Sequence, residues 1–427
     1  MNCKNWKVNM RVLFIYTDDF PNRGACTSLL NNLLFEGKMI DKLEKIDVMT
    51  VKYQFDQKEN EVYKNVGIHR VLVWSYIFSD EIRRNLKIKP ITTAVAIISK
   101  KYIRLKNRVC PQKYLDSITI KQLISGLEKI NAQQYDVIVA VAGDFHTIEA
   151  VRQYSRRPHS PHYIIYQVDP CSTNYLAAPA TKKNRIKFEE QAYKQATLVM
   201  TTPIICKEAA ENYQNRYKSK FVEIEFPNVS NRYSSDTEKN IREDEKIRCL
   251  FTGNIYSGIR DPKYTLELFQ RLTNPRIEFV LVGANKIQTL DKDNGGQISL
   301  LGARSLNETR KIISDADILV NIGNAMQNQV PSKLFEYIST GKPIVNIYKN
   351  QDCPTLHYLE KYPYVLNLFE DMKDIDSQVK MLETFILDNY KKRGDISKIM
   401  HTYIQCTPQY CANQMVDAFH MLFNKTV

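Results

Sequence analysis

Residues 317–348, DILVNIGNAMQNQVPSKLFEYISTGKPIVNIY, carry the groups best spaced to do chemistry. The order is apolar strand, polar loop, helix, glycine stop and strand. Pro331 suits the first turn of a helix, Gly341 suits the position just past its end, and Pro343 blocks continuation, so the spacing predicts a helix starting near Pro331. Backbone amides at such a start, here around Ser332, Lys333 and Leu334, form an anion site for a phosphate, reinforced by the positive end of the helix dipole. Glu336 falls about one turn inside. A carboxylate there can accept hydrogen bonds from the two vicinal hydroxyls of a ribose while the phosphate sits at the helix start, each charged bond contributing roughly 1.5 to 3 kcal/mol. Glu336 also reads as an early-turn acid favoured by the dipole, and on chemistry alone the two readings stand level.

A second set lies at 251–269, FTGNIYSGIRDPKYTLELF, where Gly253 ends a strand and the loop carrying Arg260 and Lys263 leads to a helix. Cations there would neutralise a diphosphate, and one such preorganised donor is worth about 2.7 to 4 kcal/mol. The fork of Arg260 can hold two phosphate oxygens, whereas Lys263, beside a proline, also reads as a solvated helix-start residue. Asp169, in YIIYQVDPCSTN, follows a strand and precedes Pro170; it could orient an acceptor or take its proton, or simply close a turn. His146 also follows a strand and ranks below Asp169, because a loop histidine is usually structural.

The elements that must position these groups alternate. Short β-rich runs at Val12–Tyr16, Asp47–Val51, Ile68–Val73, Val137–Val141, Tyr163–Tyr166 and Leu198–Thr201 are mostly followed by helical patterns, the first by a helix over Ser28–Glu36. That order implies a doubly wound parallel sheet. Residues 229–246 are polar, charged and without apolar period, and read as a linker or surface loop. The alternation then restarts, with strands at Arg248–Thr252, Ile277–Val282, Ile298–Leu301, Ile318–Asn321 and Pro343–Tyr348. The expected organisation is an N-terminal domain over 1–228, the linker, a second domain over 247–411, and a last helix over about 412–427 packing back on the first domain. Two such domains create a cleft in which ligands bind beyond the carboxyl ends of the strands.

PSKLFEYISTGKPIV, at 331–345, resembles the nucleotide-binding motif of glycosyltransferase family 4 and its relatives of the GT-B fold. The likeness extends through MRVLFIYTDDFPNRGACTSLLNNLL, CLFTGNIYSGIRDPKYTLELF, EFVLVG and LLGARSLNETRKIISDADILVNI, which is nearly the whole chain. The resemblance implies an α/β protein of two Rossmann-like domains facing each other across a cleft, and a retaining transferase that moves a sugar from a nucleotide-diphosphate sugar. It assigns Glu336 to the ribose hydroxyls, Arg260 and Lys263 to the donor diphosphate, and Gly24 to a small-residue turn approaching that phosphate from the first domain. Gly24 reads equally as a plain turn glycine. The family usually has a further glutamate eight positions before Glu336, near the transferred sugar; here that position is Asn328, a neutral amide that can hydrogen-bond a hydroxyl but offers no charge. No metal or other cofactor is expected, since GT-B enzymes stabilise the diphosphate with cations and helix ends.

The 427 residues suit two to three domains, and 43% hydrophobic with 25% charged residues fits neither a disordered nor a fibrous chain. The nine cysteines are dispersed without a C-x-x-C pair, which argues against a disulfide framework or a zinc site; Cys406, Cys411 and His401 match no ligand spacing. No apolar run is long enough to cross a bilayer, and the start lacks a signal peptide's apolar region, so a cytoplasmic protein is expected. Residues 1–230 hold 35 Lys and Arg against 23 Asp and Glu, so nearly all of the net charge of +13 sits there. Residues 82–113 concentrate it, with Arg83, Arg84, Lys100, Lys101, Arg104, Lys106 and Arg108 among ten basic residues and no acid. Their apolar neighbours recur at helical spacing, which suits contact with an anionic membrane surface and a glycan or polyprenyl-linked acceptor; a solvated helix is the plainer reading. No nucleic-acid-binding pattern accompanies the charge. The expectation is a peripheral glycosyltransferase of cell-surface polysaccharide synthesis, with a catalytically weak, nucleotide-sugar-binding accessory subunit as the alternative that Asn328 supports. A Rossmann dehydrogenase is disfavoured, because neither half has G-x-G-x-x-G after its first strand.

Overall fold

The computed structural model describes residues 8–22, 24–76, 115–143, 145–173, 181–233, 246–255, 260–283, 297–326 and 328–424. The chain forms two compact units, one of residues 1–227 with 408–427, the other of residues 228–407.

The first unit is built on β1 (Val8–Ile15), β2 (Leu43–Val51), β3 (Asn60–Tyr63), β4 (Val66–Val71), β5 (Val137–Ala142), β6 (His162–Gln167), β7 (Leu198–Thr201) and β8 (Phe221–Glu223). They lie in the order β3-β4-β2-β1-β5-β6-β7-β8, parallel except for the β3–β4 pair. Central parallel strands are covered on both faces and read as unbroken apolar runs, which is why VLFI of β1 and VIVAVA of β5 occupy the middle. The helices are α1 (Ala25–Asn31), which continues as a π-helical turn over Asn32–Glu36, then α2 (Ser117–Lys129), α3 (Phe145–Tyr154), α4 (Lys182–Gln195) and α5 (Pro203–Asn212). The C-terminal helix Pro408–Asn424 belongs to this unit, where Cys411 donates its thiol to the Glu225 carbonyl at 3.4 Å and the rings of His162 and Phe423 meet at 5.2 Å.

The second unit contains β9 (Ile247–Thr252), α6 (Lys263–Gln270), β10 (Ile277–Val282), β11 (Ile298–Gly302), α7 (Leu306–Asp315), β12 (Ile318–Ile322), α8 (Lys333–Ile338), β13 (Ile344–Tyr348), α9 (Pro354–Leu359), β14 (Val365–Phe369), α10 (Ile375–Asn389) and α11 (Ile396–Thr402). Its six strands are all parallel, in the order β11-β10-β9-β12-β13-β14. By order of appearance this is 3-2-1-4-5-6, the doubly wound arrangement whose switch point, between β9 and β12, opens a crevice at the carboxyl ends of those strands. One face of the sheet is packed by Phe251, Val320, Ile347 and Leu382, with the rings of Phe269 and Phe279 stacked at 4.2 Å.

The register of β12, β13 and β14 is fixed by polar groups. Asn321 donates to Asn346 at 2.7 Å and Asn346 to Asn367 at 2.8 Å, the three asparagines being direct partners across the strands. A one-residue slip would orphan these amides inside the sheet as well as exchange its faces. Lys342, only 2% exposed, caps the end of α7: its ammonium donates to the carbonyls of Ile313, Ser314 and Ala316 at 2.8, 2.5 and 2.6 Å. A cation suits this position, where carbonyls left unpaired by the helix carry the negative end of its dipole. The other end of α7 is closed by a capping box between Ser305 and Glu308.

All the strands expected from the sequence are present within a few residues. It did not anticipate β3, β8 and β14, and residues 82–113, with Arg83, Arg84, Lys100, Lys101, Arg104, Lys106 and Arg108, lie outside the described residues. Among the described residues no helix is long and apolar enough to cross a membrane. Among the described residues no disulfide joins the cysteines, which are buried apart from Cys206.

Asn346→Ala should lower stability by about 1 to 3 kcal/mol, since the buried Asn321 amide loses its partner while the exposed Asn367 oxygen can turn to water. Urea unfolding of the full chain measures this; a loss under about 0.5 kcal/mol would remove the asparagine ladder from the account of register.

Candidate functional site

Three connections from the carboxyl edge of the second sheet converge at its switch point. After β9, Gly253 turns with φ of 155° and donates its amide to the Val282 carbonyl at 2.8 Å. A Cβ on Gly283, which follows β10 with φ of 149°, would stand 1.8 Å from the Gly253 carbonyl oxygen, so the two backbones meet only because Gly283 lacks a side chain. Arg260 lies on the β9 side of the crevice and reaches to Asn324, just beyond β12: its Nε and Nη2 donate to Oδ1 at 3.2 and 2.8 Å. Asn324 in turn donates to Gln329 Oε1 at 3.3 Å. The guanidinium is therefore held at the switch point by a neutral amide.

Lys263 is placed differently. It is the exposed first residue of α6, its amide accepted by Asp261 Oδ1 at 3.1 Å. The sequence favours Arg260 over Lys263 for a diphosphate; Arg260 bridges the ends of β9 and β12, while Lys263 stands at the exposed helix start.

The helix after β12 begins as its sequence indicated. Ser332 is its N-cap, and Gly341, at φ of 68°, follows its last turn. A Cβ there would lie 2.8 Å from the Gly394 carbonyl oxygen. One of the three amides proposed for an anion is corrected: Leu334 donates to the Pro331 carbonyl at 3.0 Å, closing the entry turn and leaving Ser332 and Lys333 for that role. Asn328 is half-buried in the loop before this helix, beside Gln329. Tyr337 ties the helix to β9, its hydroxyl accepting the Thr252 amide at 2.7 Å.

Glu336 is 7% exposed. Its Oε1 accepts from the Tyr233 hydroxyl at 2.7 Å and its Oε2 from the Lys333 ammonium at 2.6 Å. Burial works to raise its pKa, but the charge and hydrogen bond of Lys333, the hydrogen bond of Tyr233 and the charge of Arg232 together outweigh it and hold the carboxyl below its ordinary range. Burial and the neighbouring carboxylate push the Tyr233 phenol up, so it remains a donor. A carboxylate has about four acceptor positions on its two oxygens. Among the described residues two are used.

Tyr233 was read as part of a polar surface linker. Residues 228–233 instead run along α8: Asn228 donates to the Ser332 carbonyl at 3.2 Å, Ser339 donates its hydroxyl to the Asn228 carbonyl at 3.2 Å, and the Ser230 amide donates to Ser339 Oγ at 3.0 Å. The only sequence signal was one aromatic residue in a polar stretch. Asn324 likewise was not singled out.

The remaining candidates lie in the first unit. Gly24 is the N-cap of α1 with φ of 121°, and a Cβ on it would fall 2.1 Å from the Asp18 carboxylate. Asp18 also accepts the Cys26 amide at 2.9 Å, so the chain's own carboxylate occupies this helix start. Asp169 is half-buried just beyond β6, whose last residue Gln167 donates to the buried Glu189 at 3.1 Å, a carboxylate that also accepts from the Tyr213 hydroxyl at 2.7 Å. His146 accepts the Asp116 amide on Nε2 at 2.9 Å, a structural role at the start of α2. Among the described residues no three of His, Cys, Asp and Glu come together as a metal-binding group.

Two doubly wound parallel-stranded units in one chain, the second with its crevice residues after β9 and β12, make this a GT-B fold, the fold of a large class of glycosyltransferases. Solved structures of that class match over almost the entire chain. HepE of Anabaena in complex with UDP has a TM-score of 0.59 at 11% identity, covering 96% of this chain and 100% of its own. The lipopolysaccharide outer core galactosyltransferase WaaB has a TM-score of 0.55 at 12% identity, covering 96% and 99%. The trehalose-6-phosphate synthase OtsA has a TM-score of 0.62 at 10% identity, covering 98% and 99%. No family model and no curated protein matches the sequence.

A carboxylate whose pKa is lower folded than unfolded stabilises the fold above its unfolded value, about 4.3, and gives up that contribution as the pH falls through its folded value. Glu336→Gln should therefore be less stable than the wild type at pH 7, with the gap closing below about pH 4.3. Thermal unfolding across that range checks the sign, and a gap independent of pH would mean that Glu336 is not held ionised.

Proposed function

We propose that the protein is a glycosyltransferase that moves a sugar from a nucleotide-diphosphate sugar to a glycan or lipid-linked acceptor. The observation that carries this reading is Glu336, a buried, ionised carboxylate on the helix that follows β12 at the switch point of a GT-B unit. In this reading the two vicinal ribose hydroxyls donate to Glu336, the amides of Ser332 and Lys333 meet phosphate oxygens, and Arg260 neutralises the diphosphate. The Gly253 and Gly283 turns, whose backbones touch, give the nucleotide a close approach to the main chain.

For transfer with retention, the bond from the anomeric carbon to the β-phosphate oxygen breaks while the acceptor oxygen bonds to the same face of that carbon. The acceptor proton passes to the departing diphosphate, so no protein base is required. Arg260 acts on the charge that develops as the diphosphate leaves, the step for which an aimed donor is worth most. Asn328 hydrogen-bonds a hydroxyl of the transferred sugar, and Asp169 orients the acceptor. Lys263 contributes long-range attraction for the donor at most, given its exposure. The polybasic sequence of residues 82–113 supports a lipid-linked acceptor of the kind used in cell-surface polysaccharide synthesis.

UDP is the first nucleotide to try, because the HepE structure contains it and an E. coli trehalose-6-phosphate structure contains UDP-2-fluoro glucose. Calorimetric titration with UDP, GDP, ADP and dTDP should show selective binding of one of them, weakened at least about tenfold, or 1.4 kcal/mol, by Glu336→Ala. Equal binding by the variant would remove Glu336 from the site. Nucleotide binding without consumption of any donor sugar, even with cell extract supplying acceptors, would favour the accessory subunit instead.

A further inference from the structure

Resting on the assignment of Glu336 to the ribose hydroxyls, we infer that Tyr233 is a positioning residue of the donor site, which fixes the plane of the Glu336 carboxylate so that its oxygens meet both hydroxyls.

A carboxylate anchored at one oxygen can still turn about its last side-chain bond, which is a broad torsion. Lys333 is a poor sole anchor, since its side chain is 34% exposed and flexible. Tyr233 supplies the second anchor on the other oxygen, from a different stretch of chain, at 2.7 Å. Tyr233 is 5% exposed, so it has little room to follow a moving carboxylate.

Tyr233 is itself held in register with α8. The bonds of Asn228 and Ser230 to Ser332 and Ser339 fix the segment beside the first and last turns of that helix, and the Val229 amide donates to the Cys406 carbonyl at 3.0 Å. The charged groups around the pair come from each neighbouring stretch: Lys333 from α8, Arg232 from the segment itself, and Arg310 of α7, whose charge acts on Tyr233. Arg310 Nε is buried with no hydrogen-bond partner. The charges of Lys333 and Arg232 favour the ionised carboxylate; of the two groups that direct hydrogen bonds to its oxygens, Lys333 is the more exposed and Tyr233 the buried one.

The test compares UDP with 2′,3′-dideoxy-UDP, which lacks the two hydroxyls, by calorimetry on the full chain. The wild type should prefer UDP, and Glu336→Gln should erase most of that preference. Tyr233→Phe keeps the ring and removes only the hydroxyl; it should cut the preference roughly three- to tenfold while changing dideoxy-UDP affinity little. Added to Glu336→Gln it should have no further effect. Asn228→Ala, which loosens the segment and leaves Tyr233 intact, should lower the preference in the same direction and serves if Tyr233→Phe does not fold. Loss of preference in Glu336→Gln with full preference in Tyr233→Phe would overturn this inference alone. Full preference in Glu336→Gln would overturn the ribose assignment, and the inference with it.

Discussion

A buried negative charge is the constraint around which the second unit is arranged. An ionised carboxylate removed from water loses several kcal/mol of solvation unless charges and hydrogen bonds replace it. For Glu336 the replacements come from its own helix, through Lys333, and from the segment that enters the unit, through Tyr233. The helix must therefore start and stop where it does, which Pro331 and Gly341 arrange, and the entering segment must lie along it, which Asn228, Ser230 and Ser339 arrange. Tyr337, the next residue, fastens the same helix to the end of β9.

The crevice follows from the sheet as much as from the helix. Strand order 3-2-1-4-5-6 separates the connections after β9 and β12 to opposite faces, and the gap is spanned by the pair of Arg260 and Asn324. Register matters because each side chain at the crevice is placed by the strand that precedes it. On one side the asparagine ladder of β12, β13 and β14 holds that register; on the other, the contact of the Gly253 and Gly283 backbones leaves no space for a shift. Polar groups thus do the aligning, while the apolar core supplies most of the driving force.

What could be read in the sequence divides along the same physical line. Runs such as VLFI, VIVAVA and FVLV are strands because nothing else buries them on two faces, and the proline and glycine around α8 constrain backbone angles locally. The short edge strands β3 and β8 lack such runs, with Glu61, Val62 and Glu223 facing outward or partly so, and they depend on a neighbouring strand for definition; VLNLF of β14 has the same pattern as IVNIY of β13 and was nonetheless missed. The asparagines of ILVNI, IVNIY and VLNLF recur in the sequence, but their pairing appears only once the strands are in register. Glu336 and Arg260 were legible as charges at helix and loop positions; their partners Tyr233 and Asn324 were not, since they meet them across 103 and 64 residues of chain. The Leu334 amide differs from expectation for a similar reason: the Pro331 carbonyl reaches it first, just as the Asp18 carboxylate lies against the Gly24 turn.

The most direct measurement is a crystal structure of the protein with UDP bound. The ribose role of Glu336 requires the hydroxyls to donate to its carboxylate at about 2.5 to 2.7 Å, with the Tyr233 and Lys333 bonds retained and Arg260 facing the diphosphate. UDP bound elsewhere, or with its ribose away from an unaltered Glu336, would contradict it.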